Sequence, residues 1–296
     1  MDTEAALLRY RDADSWPAED AMAAMLENQF GAFAAVRLAL PALAAAATAA
    51  ADRLRSGQGR LIYTGAGASG RLAVQDGVEL HPTFGWPAAR LAYLVAGGDA
   101  ALVRSAEGAE DDTDAGTREM AALGPEPQDV VVAVAASGAT RYTRAVQAAG
   151  AAAGSMTVAL ANNPSAPLLQ EAAHPILLHT GPEFLAGSTR MTAGTAQKIA
   201  LNLLSTRIMS DLGRVHRGLM VDMVPSNAKL ANRARRMVAA IAGVPLAEAA
   251  ASWDAAGGNV RVAVLMLRGL GRAEAEAALH AASGRLGLAL DAVQRD

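Results

Sequence analysis

"RLIYTGAGASGRLAVQDGVELHPTFG", Arg60 to Gly85, decides how the chain is read. A short apolar run meets Gly65-x-Gly67-x-x-Gly70 and then residues of helical character, the order of a strand, a tight turn and a crossover helix. Such a turn aims backbone N–H groups at an anion. A dinucleotide would also need an acidic residue after the next strand, roughly 20 residues on, to hold its ribose hydroxyls. The next β-rich run arrives only after "HPTFGWP", and its first acid is Asp99, so the spacing argues against NAD.

Outward from this turn the pattern repeats. "RLIYTG" (60–65), "LAYLVA" (91–96), "DVVVAVA" (129–135), "SMTVALA" (155–161) and "PILLHT" (175–180) are apolar without alternation, as strands of a parallel sheet covered on both faces are. The intervening stretches, such as 69–80 and 139–153, are long enough for crossover helices. The expectation is a doubly wound α/β fold with a five-stranded parallel sheet. "STRMTAGTAQKIALNLLSTRIMSDLG" carries apolar residues at helical spacing and ends on Gly213, and from about Asn227 the chain reads as helical. We therefore expect a helical N-terminal arm over 1–55, with Pro41 starting or kinking a helix, a sheet domain over 56–225 and a small helical bundle over 226–296.

Composition narrows the classes of function. The 296 residues are 52% hydrophobic and 19% charged with a formal net charge of -3, so nothing resembles the basic footprint of a nucleic-acid or acidic-membrane partner. With no cysteine there is no disulfide framework, thiolate nucleophile or Cys-ligated zinc. The N-terminus lacks the basic start and apolar core of a secretory signal. The stretch Ala32 to Ala51, interrupted by Arg37 and Pro41 and dominated by alanine, reads as a packed helix rather than a membrane span. A cytoplasmic location without membrane association is expected.

Three turns rich in hydroxyls stand beside strand ends or helix starts: "GASG" with Ser69 and Gly70, "ASGAT" with Ser137, Gly138 and Thr140, and "GSTR" with Ser188 and Thr189. Each alone is commonly a helix cap. Two at strand ends of one parallel sheet suit a monophosphate ester, because ligands bind at the carboxyl ends of such strands.

"GAGASGRLAVQDGVELHPTFG", "AEGAEDD", "VAASGAT", "GPEFLAGSTRMTAGTAQKIALNLLST" and "GLMVDMVPSNAKL" together resemble the motifs of N-acetylmuramic acid 6-phosphate etherases. These are sugar isomerase (SIS) domain proteins related to the glucokinase regulatory protein, and the resemblance runs from about Gly59 to Arg236. It implies cleavage of a lactyl ether, releasing N-acetylglucosamine 6-phosphate and D-lactate. It also implies a homodimer and a sugar phosphate as the small-molecule partner. In the open-chain sugar the aldehyde acidifies the C2 proton, so a base removes it while an acid protonates the departing C3 oxygen. Two carboxyl groups, one ionised and one protonated, suffice, with no metal or redox cofactor.

By motif the resemblance assigns the acid to Glu79 and the base to Glu110, and places Ser69, Gly70, Glu107, Ser137, Gly138, Thr140, Ser188 and Thr189 around the substrate. Without the motifs, Glu79 reads as a solvated helix-end carboxylate and Glu110 as one member of an acidic run. Glu183 and Lys198 match the pattern too, with a buried ion pair or a helix-start carboxylate as the plain alternatives. His81, two residues from Glu79, is the histidine nearest it in the chain. The sequence departs from the family at Ala68, Ala139, Arg141 and Thr192, where a threonine, an "RTPY"-like turn and a lysine are usual. Those departures point to weakened etherase activity or a different substrate, and two other readings stand beside the etherase: a phosphosugar sensor without turnover, which needs no acid–base pair, and an aldose–ketose isomerase. The paired carboxylates favour the etherase over the first, and "GPEFLAGSTRMTAGTAQK" favours it over the second.

Overall fold

The computed structural model describes residues 2–55 and 57–293. Along the chain it places α1 (Ala18–Leu54), β1 (Leu61–Gly65), α2 (Gly67–Val78), α3 (Leu80–Phe84), β2 (Leu91–Val95), α4 (Thr113–Leu123), β3 (Val130–Val134) and α5 (Arg141–Ala152). There follow β4 (Met156–Ala161), α6 (Pro167–Gln170), β5 (His174–Leu177), α7 (Thr192–Asp211), α8 (Ala228–Ala242), α9 (Leu246–Ala255), α10 (Val260–Met266), α11 (Arg272–Ala281) and α12 (Leu286–Val293). The chain divides into two compact units, each built from two stretches: Met1–Gly77 with Ala89–Ser205, and Val78–Ala88 with Thr206–Asp296.

The first unit holds the sheet. Its five strands are all parallel in the order β2-β1-β3-β4-β5, the expected doubly wound architecture. Every residue of β1, β3 and β4 is buried, which is why these runs are apolar throughout. Each fully buried Val or Ile side chain is worth about 1.5–3 kcal/mol. The strand order reverses direction between β1 and β3, whose ends Gly65 and Val134 are register partners. The crevice outside that pair is where an open α/β sheet binds its ligand. Gly65 and Gly70 let the start of α2 lie directly on it: a Cβ on Gly65 would stand 2.8 Å from Gly70 Cα, and one on Gly70 would stand 2.9 Å from Gly65 C.

Helix α1 packs along β5 and β3, burying Ala32, Ala35, Val36, Ala39, Leu43, Ala46, Ala47 and Ala50 at helical spacing. Pro41 starts no helix here; it lies inside α1, and the carbonyl its missing N–H leaves unpaired belongs to exposed Arg37. Among the described residues α1 is the one helix long and apolar enough to cross a membrane by length and composition, but one of its faces is occupied by the sheet. A second stripe, Met22, Leu26, Phe30, Phe33 and Leu40, stays exposed.

The second unit is helical, with Met237, Val238, Trp253, Val262, Val264, Leu265 and Leu286 in its core. Asn227 caps α8 by accepting from the Leu230 N–H, and Asn259 caps α10 by accepting from Arg261 and Val262.

Candidate functional site

The residues singled out in the sequence fall on the carboxyl ends of the strands and on one segment of the second unit. After β1 come Ser69, buried, and Gly70, whose N–H is taken by the Ala66 carbonyl at 3.0 Å. The first turn of α2 leaves its remaining N–H groups without helical partners, at the positive end of the helix dipole. After β3, Ser137 Oγ accepts from the Ala139 N–H at 3.1 Å, which fixes the turn and leaves the hydroxyl proton free to donate. Gly138 shapes this turn, donating to the Ala135 carbonyl and accepting from the Leu168 N–H. Thr140 holds the N-cap position of α5, yet its hydroxyl makes no capping bond.

Ser188 and Thr189 stand half-buried just ahead of α7, where the Thr189 carbonyl accepts from the Gly194 N–H at 2.8 Å. Glu183, fully buried, closes this helix start. Its two carboxylate oxygens accept from the N–H groups of Thr192 at 2.8 Å and Ala193 at 2.9 Å, so it is a helix-start carboxylate rather than half of an ion pair. Thr192 at the departed lysine position is buried, and its hydroxyl donates to Asn28 Oδ1 of α1 at 2.6 Å. Lys198 is exposed. Asn162, at the end of β4, accepts from Gln197 of α7 at 2.9 Å and donates its backbone N–H to the Ala136 carbonyl, which ties the α7 start to the Ser137 turn. Neither Asn162 nor Gln197 carried a sequence signal.

Glu107 and Glu110, both exposed, follow β2 and line a cavity of about 310 Å³ together with Ala66, Gly67, Arg71, Ala96 and Ser105. The cavity is thus lined both by carboxylates and by the start of α2. Arg71 belongs to the same lining, donating to the carbonyls of Ala101, Leu102 and Arg104 and so tethering the loop that leads to Glu107. Sequence reasoning missed Arg71, because the carbonyls it holds carry no residue identity.

At the far end of α2 lies a buried carboxylate, Asp76, which accepts from Tyr63 Oη at 2.9 Å, Asn202 Nδ2 at 2.7 Å and Ser205 Oγ at 3.1 Å. Burial pushes Asp76 above the usual carboxylate range against these donors, and burial beside Asp76 pushes the Tyr63 phenol well up. Asp76 thereby binds α2 to β1 and α7.

Glu79 belongs to the second unit. It is exposed at the N-cap position of α3, and its side chain makes no capping bond. His81 Nδ1 donates to the Trp86 carbonyl at 3.0 Å. In the same unit Arg214 Nη1 donates to the carbonyls of Phe84 at 2.7 Å and Gly85 at 3.0 Å and pairs with Asp222 at 3.3 Å, while Arg261 also pairs with Asp222. Burial pushes the Asp222 carboxyl up in spite of both guanidinium groups. Among the described residues no cluster of His, Asp and Glu has the makings of a metal site.

Residues 43–150 match the family model for the glucokinase regulatory protein N-terminal SIS domain. An N-acetylmuramic acid 6-phosphate etherase of Deinococcus radiodurans is 50% identical over 93% of this chain and 90% of its own length. One of Rubrobacter xylanophilus is 46% identical over 86% of this chain and 84% of its own. Among solved structures, a phosphoheptose isomerase from Francisella tularensis superposes with a TM-score of 0.50 at 18% identity, over 66% of this chain and 100% of its own, a likeness of fold.

Proposed function

The chain belongs to the N-acetylmuramic acid 6-phosphate etherase family, and from that premise we infer a carbon–oxygen lyase that cleaves the lactyl ether of N-acetylmuramic acid 6-phosphate to N-acetylglucosamine 6-phosphate and D-lactate. The observation that supports the reading is the cavity after β1 and β2, lined both by Glu107 and Glu110 and by Ala66 and Gly67 at the start of α2, the kind of helix start that suits an anion. A ligand with a phosphate at one end and an acidic C–H at the other suits such walls.

In this reading Glu110 takes the C2 proton of the open-chain sugar and the electron pair moves into the C1 aldehyde. The C3–O bond then breaks, and Glu79 protonates the departing lactate oxygen. Water adds hydroxyl to C3 and a proton to C2 of the unsaturated intermediate, which completes a net hydrolysis. The hydroxyls of Ser69, Ser137, Thr140, Ser188 and Thr189 and the N–H groups of the α2 start hold the phosphate and sugar oxygens, Gly70 and Gly138 give their turns the required shape, and Glu107 meets the sugar. Hydrogen bonds of this kind contribute about 1.5–3 kcal/mol each toward a charged group.

The exposed apolar stripe on α1 supports a homodimer, since Met22, Leu26, Phe30, Phe33 and Leu40 recur at the spacing of a helix–helix seam. A phosphorylated intermediate of cell-wall sugar recycling as substrate supports a cytoplasmic location. Incubation with N-acetylmuramic acid 6-phosphate should release D-lactate in step with N-acetylglucosamine 6-phosphate. Binding of the sugar phosphate without lactate release would replace the etherase with the sensor.

A further inference from the structure

Glu79 stands at the joint between α2, which ends at Val78, and α3, which begins at Leu80. Helix α3 has five residues, well under the length at which a helix holds itself in water, and Glu79 makes no capping bond to it. On one side Glu79 follows directly on α2, which Asp76 anchors, so the freedom left to the carboxylate lies on the α3 side and is set by what holds the far end of that turn. That end is Gly85, in the left-handed region at φ 61°, its N–H returning to the carbonyls of His81 and Leu80. No side chain fits there: a Cβ would stand 2.4 Å from the Asp222 carbonyl oxygen. The two carbonyls at this end, Phe84 and Gly85, are both held by Arg214, whose guanidinium carbon lies 5.1 Å from the ring centre of Trp86, itself only 1% exposed. Asp222 fixes the guanidinium in turn and is shared with Arg261. A further bond, Val224 N–H to the Pro82 carbonyl at 3.1 Å, anchors the middle of α3.

We propose that Arg214 is a positioning residue for Glu79, clamping the α3 turn so that the acid meets the leaving oxygen. The inference rests on the etherase reading of Glu79. It gives the segment between α7 and α8 a part in the reaction. Misplacing a catalytic group by about 1 Å costs on the order of 100-fold in rate. Because only protonation of the leaving group depends on Glu79, loss of the clamp should slow ether cleavage and spare removal of the C2 proton.

The test compares the full chain with Arg214→Met, Arg214→Lys and Glu79→Gln. D-lactate release from N-acetylmuramic acid 6-phosphate is followed alongside exchange of its C2 proton in deuterium oxide. Arg214→Met should lower kcat for lactate release by about 10- to 100-fold, leave KM nearly unchanged and leave C2 exchange at the parent rate. Arg214→Lys, which keeps a charge and donors, should recover part of the loss. Glu79→Gln should show the same separation of exchange from release. Parallel loss of exchange and release in Arg214→Met, or no loss of either, overturns the inference. Should Arg214→Met fail to fold, Arg214→Lys and Asp222→Asn carry the same comparison, and parallel loss in both overturns it as well. If Glu79→Gln itself abolishes exchange, the acid assignment falls and the clamp with it; if Glu79→Gln separates the two and the Arg214 variants do not, the clamp alone falls.

Discussion

Removing the Glu183 carboxylate should loosen the start of α7, and the structure sets the scale. Two backbone N–H groups end on this one side chain, at 2.8 and 2.9 Å, in a site with no solvent exposure. Hydrogen bonds to a charged group are worth about 1.5–3 kcal/mol each, so Glu183→Ala forfeits about 3–6 kcal/mol of interaction. Against this, the folded state no longer carries the desolvation cost of a buried carboxylate, which brings the net to the lower part of that range, about 3 kcal/mol. Glu183→Gln keeps one acceptor and turns an amide against the other N–H, for a loss of about 2 kcal/mol. At roughly 2–4 °C per kcal/mol for a unit of this size, Glu183→Ala should lower the melting temperature by about 6–12 °C in a thermal scan followed by circular dichroism. The same turn carries Ser188 and Thr189, so KM for the sugar phosphate should rise with it. A melting temperature within about 2 °C of the parent would show that water or a neighbour takes over the two N–H groups and that the capping account is wrong.

Glu110→Gln should abolish both C2 exchange and D-lactate release, because an amide accepts no proton; retained exchange would take the base role from Glu110. Asp129 accepts from the Arg60 side chain and from the backbone N–H groups of Arg60 and Glu126. Burial pushes its carboxyl up, but these bonds outweigh burial and hold it below the usual carboxylate range. The unfolded chain therefore binds this proton more readily, so the stabilisation is complete above about pH 5 and is lost as the pH falls through and below about 4. The urea midpoint of Asp129→Asn should be lower than the parent's at neutral pH and less sensitive to acid in that window; equal acid sensitivity would discount the pair. Phe30→Asp combined with Phe33→Asp should turn the proposed dimer into monomer by light scattering, and a parent already monomeric at micromolar concentration would remove the α1 seam.

What could be read from the chain divides along a physical line. Strands such as Val130–Val134 were legible because burial on both faces forces a continuous apolar run, and the Gly65 and Gly70 spacing because only glycine lets helix and strand meet so closely. Glu79 and Glu110 were marked by motif resemblance alone, since an exposed carboxylate leaves no pattern of its own. Arg71 and Arg214 left no trace because they bind main-chain carbonyls, which every residue has. Asn162 and Gln197 depend on a pairing 35 residues apart that no periodicity announces.

The second unit takes its first stretch, Val78–Ala88, from the first third of the chain and its last from the end. During synthesis this stretch therefore leaves the ribosome long before its companions: Arg214 follows Phe84 by 130 residues, which at about 5–20 residues per second is a delay of roughly 6–26 seconds. For that interval Phe84 and Trp86, both buried in the finished molecule, lack the Arg214 segment that packs against them and are open to chaperones and to other nascent chains. Ribosome-bound chains halted just short of Arg214 should show the red-shifted fluorescence of a hydrated Trp86 in a variant keeping only that tryptophan, and chains released at full length should not. The order in which the protein is made thus leaves the turn bearing Glu79 among the last parts to settle, so that a chain broken off early has its sheet but not its acid in place.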